Sequence, residues 1–156
     1  QIKWPNDVVL NGKKLVGILT EMSAQMNYIE YLVTGIGINA NLREFPEELE
    51  DKATSLQKEI GHKVNRSALI AECMEKIEEN YEIFVKTQDL SGLMAAYQEA
   101  LVNQDQQVRV LEPGHEYTGV ARGINAMGEL LVEKEDGTIT EVYAGEVSVR
   151  GLYGYV

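Results

Sequence analysis

KWPNDVVLNGKKLVGILTEM, residues 3–22, sets two β-like runs on either side of Asn11-Gly12. That dipeptide suits a two-residue type I′ turn, whose central positions both need positive φ, so the stretch reads as a hairpin. Leu10 is then expected opposite Lys13, Val9 opposite Lys14 and Asp7 opposite Val16. Side chains alternate between faces along a strand. Asp7, Val9, Lys14 and Val16 therefore share one face, with Asp7 diagonal to Lys14 at roughly 7–8 Å between backbones. A carboxylate and an ammonium on one partly buried face are the makings of an anion site; the alternative is a plain cross-strand ion pair in solvent, worth about 0–1 kcal/mol.

Working outward, LVGILTEM is expected to pair with YIEYLVTGIGINA (28–40), a nearly continuous apolar run of the kind found in buried strands. Residues 42–64 read as a polar loop with one helical turn near 55–60, and its EFPEELEDK run (44–52) as a solvated acidic face. Asn65 can cap a helix running to about Val85, with Leu69, Cys73, Ile77, Tyr81 and Phe84 along one face, and a second helix spans about Ser91 to Val102. After Asn103 the period becomes two. QQVRVLE, HEYTGVAR, GELLVEK, TITEVYA and SVRGLYG, separated by Pro113-Gly114, Asn125–Gly128 and Asp136-Gly137, read as five short strands of a small barrel. The expected class is α+β, divided into 1–103 and 104–156.

Lys+Arg of 14 against Asp+Glu of 25 gives a net charge of −11 over 156 residues. Without a local basic cluster, that charge disfavours nucleic acid and anionic lipid. The single cysteine, Cys73, cannot form an internal disulfide; it reads as a buried structural thiol and suits a reducing, cytoplasmic location. No stretch approaches the ~20 apolar residues of a membrane span, and no signal peptide is visible. His62 and His115 lack partners at ligand spacing, so no protein metal site is expected. Gly35-Ile36-Gly37 lacks the third glycine and following helix of a dinucleotide fingerprint, and neither a Walker A sequence nor a Gly-x-Ser-x-Gly elbow is present.

Four segments, KWPND (3–7), KKLVGILTE (13–21), GIGIN (35–39) and GEVSVR (145–150), stand in one order along nearly the whole chain. Together they resemble the biotin protein ligases (biotin–[acetyl-CoA-carboxylase] ligases). The resemblance implies part of a mixed-sheet catalytic domain of the class II synthetase and lipoate-ligase type, followed by an SH3-like barrel. It implies ATP-dependent conversion of biotin to biotinyl-5′-adenylate, then transfer to a lysine of the biotin carboxyl carrier protein, with Mg²⁺ riding on ATP. Lys14 matches the lysine that contacts the biotinyl carboxyl and adenylate phosphate, and Lys3 a second phosphate contact. Asp7 and Asn6 match residues that orient the adenylate or receive the incoming amine's proton.

Gly35, Gly37 and Asn39 match a biotin-pocket wall, while Glu146 and Arg150, with Ser148 on the same strand face, match residues that reach towards ATP. For Trp4, core packing competes with ligand stacking. The family's Gly/Arg-rich phosphate loop is expected before KWPND, so this chain reads as the C-terminal portion of a larger enzyme, inactive alone. Homodimerisation through TEMSAQMNYIEYLV (20–33) is the implied assembly. The competing readings are a non-catalytic binding or dimerisation module derived from such a ligase, and a lipoate-ligase relative.

Overall fold

Asn11 and Gly12 have positive φ, 50° and 76°, and turn the chain between strands β2 (Asp7–Leu10) and β3 (Lys13–Gln25); a short strand β1 (Ile2–Lys3) precedes them. The computed structural model describes residues 1–112, 114–143 and 148–151. They divide into two compact units, Asn6–Val64, and Gln1–Pro5 with Asn65–Val156.

In the Asn6–Val64 unit, β2, β3 and β4 (Tyr28–Ile38) form an antiparallel run in that order. Leu10 faces Lys13 and Val9 faces Lys14 as expected, but the register then slips between Val8 and Val9. Val8 faces Val16, and Asp7 faces Gly17 rather than Val16. The cause is one extra residue on β3, Leu15, a β-bulge that puts two residues against one. A 3₁₀ turn (Glu47–Leu49) and helix α1 (Leu56–Ile60) follow. The Ser55 side chain caps α1 by accepting from the Lys58 N–H at 3.1 Å, and Gly61, at φ 82°, ends it.

The apolar run of β4 was expected to be buried, yet it is exposed from Tyr28 to Gly37. β4 is the edge strand. Leu32 and Val33, successive and so on opposite faces, are 57% and 52% exposed, which means that neither side of the ribbon is covered there.

The other unit opens on α2 (Arg66–Thr87), capped by the Asn65 side chain, which accepts from the backbone N–H groups of Ser67 and Ala68. Cys73 on this helix is half-buried rather than enclosed. Helix α3 (Met94–Ala100) is shorter than the span Ser91–Val102 expected for it. At its start the Ser91 backbone and hydroxyl both donate to Asp89 Oδ1 and hold a turn; at its end Leu101 extends and bridges Ile2. Strands β5 (Gln107–Glu112), β6 (His115–Ile124), β7 (Leu130–Glu133), β8 (Ile139–Val142) and β9 (Ser148–Gly151) then form one antiparallel sheet in the order β8-β7-β6-β5-β9. The period-two switch after Asn103 thus gives five strands with no long helix among the described residues.

Alternate residues of these strands, Val108 and Val110, Ala121, Leu130 and Val132, Val142 and Val149, build a closed apolar core with Ile124 and Leu101. Trp4 completes it, 2% exposed, with its indole N–H donating to the Gly128 carbonyl at 3.0 Å. Trp4→Phe keeps an aromatic ring but leaves that carbonyl without its donor. It should cost about 1 kcal/mol, measured by urea unfolding followed through Tyr and backbone signals.

Candidate functional site

Lys14 and Asp7 form an ion pair, Nζ to Oδ1 at 2.5 Å, with side chains 40% and 12% exposed. In an unbroken strand, residues 14 and 17 would point to opposite faces. The bulged Leu15 shifts the alternation by one, so Lys14 and Gly17 share a face with Asp7. The lysine side chain lies along Gly17: a Cβ built there would meet Lys14 Cε at 3.0 Å, Nζ at 3.1 Å and Asp7 Oδ1 at 3.8 Å. Across the next strand Gly17 pairs with Gly37, and Leu19 with Gly35. A half-solvated cation therefore sits pinned by a carboxylate beside backbone bare of side chains, where a flat or anionic ligand can approach the peptide groups.

Backbone bonds hold this corner. The Asn39 N–H donates to the carbonyl of the bulged Leu15 at 3.0 Å, and the Asn39 carbonyl accepts from Leu56 at 2.9 Å. Asn6 clamps β3 twice, its side-chain amide donating to the Ile18 carbonyl at 2.7 Å and its carbonyl accepting from the Ile18 N–H at 2.9 Å. The Lys14 backbone is paired on its other side with a buried strap, donating to Lys52 O at 2.8 Å and accepting from Thr54 N–H at 2.9 Å.

Of the residues singled out from sequence, Asp7, Lys14, Gly35, Gly37, Asn6 and Asn39 fall in this one unit. Lys3 and Trp4 belong to the other, both buried. Arg150 lies on β9 opposite Arg109, and Glu146 lies outside the described residues. Sequence reasoning missed three participants. Gly17 carried a signal, a glycine inside a strand pattern, which marks close approach. The strap residues Thr54 and Ser55, almost wholly buried, carried none beyond their place in a polar loop.

Elsewhere, burial pushes the Tyr97 phenol up to about 12, too high for acid–base work near neutrality. Among the described residues there is no group of three or more His, Cys, Asp or Glu side chains placed to hold a metal ion.

The family described as "Biotin/lipoate A/B protein ligase family" matches residues 1–39, and the "Biotin protein ligase C terminal domain" matches residues 105–150. Over 150 residues the chain is 35% identical to the "Bifunctional ligase/repressor BirA" of Bacillus spizizenii, covering 95% of this chain and 46% of that protein. The chain belongs to the biotin protein ligase family. The "Biotin--[acetyl-CoA-carboxylase] ligase" of Mycobacterium tuberculosis is 30% identical over 148 residues, 94% of this chain and 52% of that one. The apo biotin protein ligase of Aquifex aeolicus superposes with a TM-score of 0.84 at 33% identity, over 96% of this chain and 64% of that chain. The same enzyme in complex with biotin and ATP gives 0.81 at 31% identity. The chain thus spans about half the length of the curated relatives it matches. The two matched regions contain the segments 3–7, 13–21, 35–39 and 145–150 on which the ligase resemblance rested.

Gly17→Ala isolates the glycine's role. The new methyl group would press on the flexible end of Lys14, so stability should change by less than about 1 kcal/mol while the ammonium moves. Chemical shifts of the Lys14 side chain, followed by NMR with ¹³C-lysine, should change while those of Lys76 do not.

Proposed function

We propose that this chain provides the lysine–carboxylate face of a biotin protein ligase, which activates biotin with ATP and transfers it to a lysine of a carboxyl carrier protein. The observation that carries the reading is the Lys14 ammonium pinned by Asp7 over Gly17, inside the family's own motifs. In the first step the biotin carboxylate attacks the α-phosphorus of ATP; biotinyl-5′-adenylate forms and pyrophosphate leaves. A fixed cation beside the carboxyl and phosphate oxygens stabilises the charge that builds there. Lys14 has that role, exchanging its Asp7 contact for the ligand's oxygens. Mg²⁺ enters with the triphosphate.

In the second step the carrier amine attacks the mixed anhydride, an amide bond forms and AMP leaves. The amine must lose a proton, and Asp7, freed from Lys14, is a carboxylate able to accept it. Gly35, Gly37 and the Asn39 backbone form the wall on which the biotin ring lies, with Asn6 holding the strand beneath. Lys3, Glu146 and Arg150 are assigned to the ATP end, and Trp4 acts through packing. With a net charge of −11, these residues are assigned no nucleic-acid contact. No helix among the described residues is long and apolar enough to cross a membrane. The half-buried cysteine and the carrier substrate fit a cytoplasmic setting.

The uncovered β3–β4 ribbon favours self-association, and a homodimer is the assembly we assign to it. Leu32→Lys is expected to weaken that association at least about tenfold by placing a charge on the apolar face, read by sedimentation equilibrium.

The catalytic reading is tested in a chimera in which this chain replaces the matching part of the Aquifex aeolicus enzyme. The chimera should catalyse biotin-dependent ATP–pyrophosphate exchange. Lys14→Ala should slow it by about 10²-fold, the scale of losing one transition-state electrostatic partner. The 156-residue chain alone should give no exchange. Near-normal exchange by the Lys14→Ala chimera would remove Lys14 from the reaction.

A further inference from the structure

Glu59 lies on α1, exposed at the surface, yet each of its carboxylate oxygens accepts from a different stretch of chain. Oε1 takes the Thr54 hydroxyl at 2.5 Å and Oε2 the Asn11 side-chain amide at 2.6 Å. Thr54 belongs to the strap paired with the Lys14 backbone, where Lys14 and Ala53 form a parallel bridge. Asn11 is the first turn residue of the hairpin that carries Lys14, three positions further along. A closed ring results: Lys14 backbone, strap, Thr54 hydroxyl, Glu59, Asn11 and back through the turn to Lys14.

We propose that Glu59 is a positioning residue for Lys14, fixing the β2–β3 turn against the strap so that the ammonium is held over Gly17 beside Asp7. The significance for ligation rests on the function proposed above; the geometric claim does not. Two features make the ring a positioning device. First, only Lys13 separates Lys14 from a tight turn, and Lys14 is followed by the bulge at Leu15, so β3 has little regular ladder of its own with which to fix the lysine's direction. Second, the strap is enclosed, with Thr54 1% and Ser55 0% exposed, so it is the rigid side of the ring, and the turn is what Glu59 restrains. The Thr54 and Asn11 contacts also lower the Glu59 carboxyl below its ordinary value, so it stays an acceptor at neutral pH. Lys13 adds a parallel tether, its ammonium donating to the Glu50 carbonyl at 2.8 Å.

The test reads Lys14 directly. The whole chain is labelled briefly with trace acetic anhydride, and acetylation at Lys14 is compared by mass spectrometry with that at exposed Lys63. An ammonium held against a carboxylate is protected, so Glu59→Ala should raise the Lys14/Lys63 ratio about two- to fivefold, the range set by freeing a partly exposed ion pair. Asn11→Gly removes only the amide donor and keeps a residue suited to positive φ, so it should give a similar rise with the hairpin intact.

The double variant Asn11→Asp, Glu59→Gln reverses donor and acceptor across the same contact and should bring the ratio back. A purely structural Glu59 would lower the melting temperature but leave the ratio unchanged in folded protein. An unchanged ratio in both Glu59→Ala and Asn11→Gly, at a temperature where circular dichroism shows both folded, overturns the proposal. No rescue by the double variant overturns it as well. Because labelling needs no turnover, a Lys14→Ala chimera with normal exchange would refute the ligase role of Lys14 and leave this result standing.

Discussion

One inserted residue governs the candidate site. Strands alternate their side chains strictly, so without Leu15 as an extra member of β3 Lys14 would still share a face with Asp7 but not with Gly17. The bulge costs a break in the ladder, and the structure closes that break with the Asn39 N–H on the Leu15 carbonyl and the strap against Lys14. The placement of the ammonium over the bare glycine surface follows from that displacement. The register of β2 against β3 is thus a chemical specification as well as a packing one.

The two units differ in how they are stabilised. In the one containing Asn65–Val156, small aliphatic side chains from alternate strand positions close around Trp4, and the core excludes water. The Asn6–Val64 unit has only a few enclosed side chains, Val9, Leu15, Val16 and Ala53 among its apolar ones, and leans on backbone bonds around the site. Beyond Thr20 its ribbon presents Met22, Leu32 and Val33 to solvent. Large exposed apolar faces in a native chain mark surfaces made to be covered. Here they adjoin the strands that carry the candidate site.

Much of this was legible in the sequence. Asn11-Gly12 fixed the turn, Asn65 the start of α2, and the period-two runs after Asn103 the five strands, because each rests on local stereochemistry that distant contacts rarely override. The pairing of Asp7 with Lys14 was also legible, though by a route that assumed an unbroken ladder. The bulge escaped because its partners, Asn39 and the 52–54 strap, are remote in sequence and give no local sign. The same reason hid Thr54 and Glu59, which read as members of a polar loop. The burial expected of β4 failed for a different cause: an apolar run reports that a strand wants cover, and whether cover is present depends on its neighbours.

Trp4 and Gly128 are 124 positions apart, so the hydrogen bond between them cannot form until a long stretch of chain has been made after the indole. During synthesis the indole emerges well before Gly128 and waits, while the hairpin behind it can zip by local contacts alone. Its apolar ribbon is therefore presented to the cell well before the core that takes in Trp4 has any walls. Folding dominated by such distant pairings is slow, and strands left open meanwhile invite chaperones or aggregation. For this chain the hazardous interval is set by the ribosome's travel from the codon for Ile38 to about that for Val149, the stretch that encodes the other sides of the tryptophan's pocket.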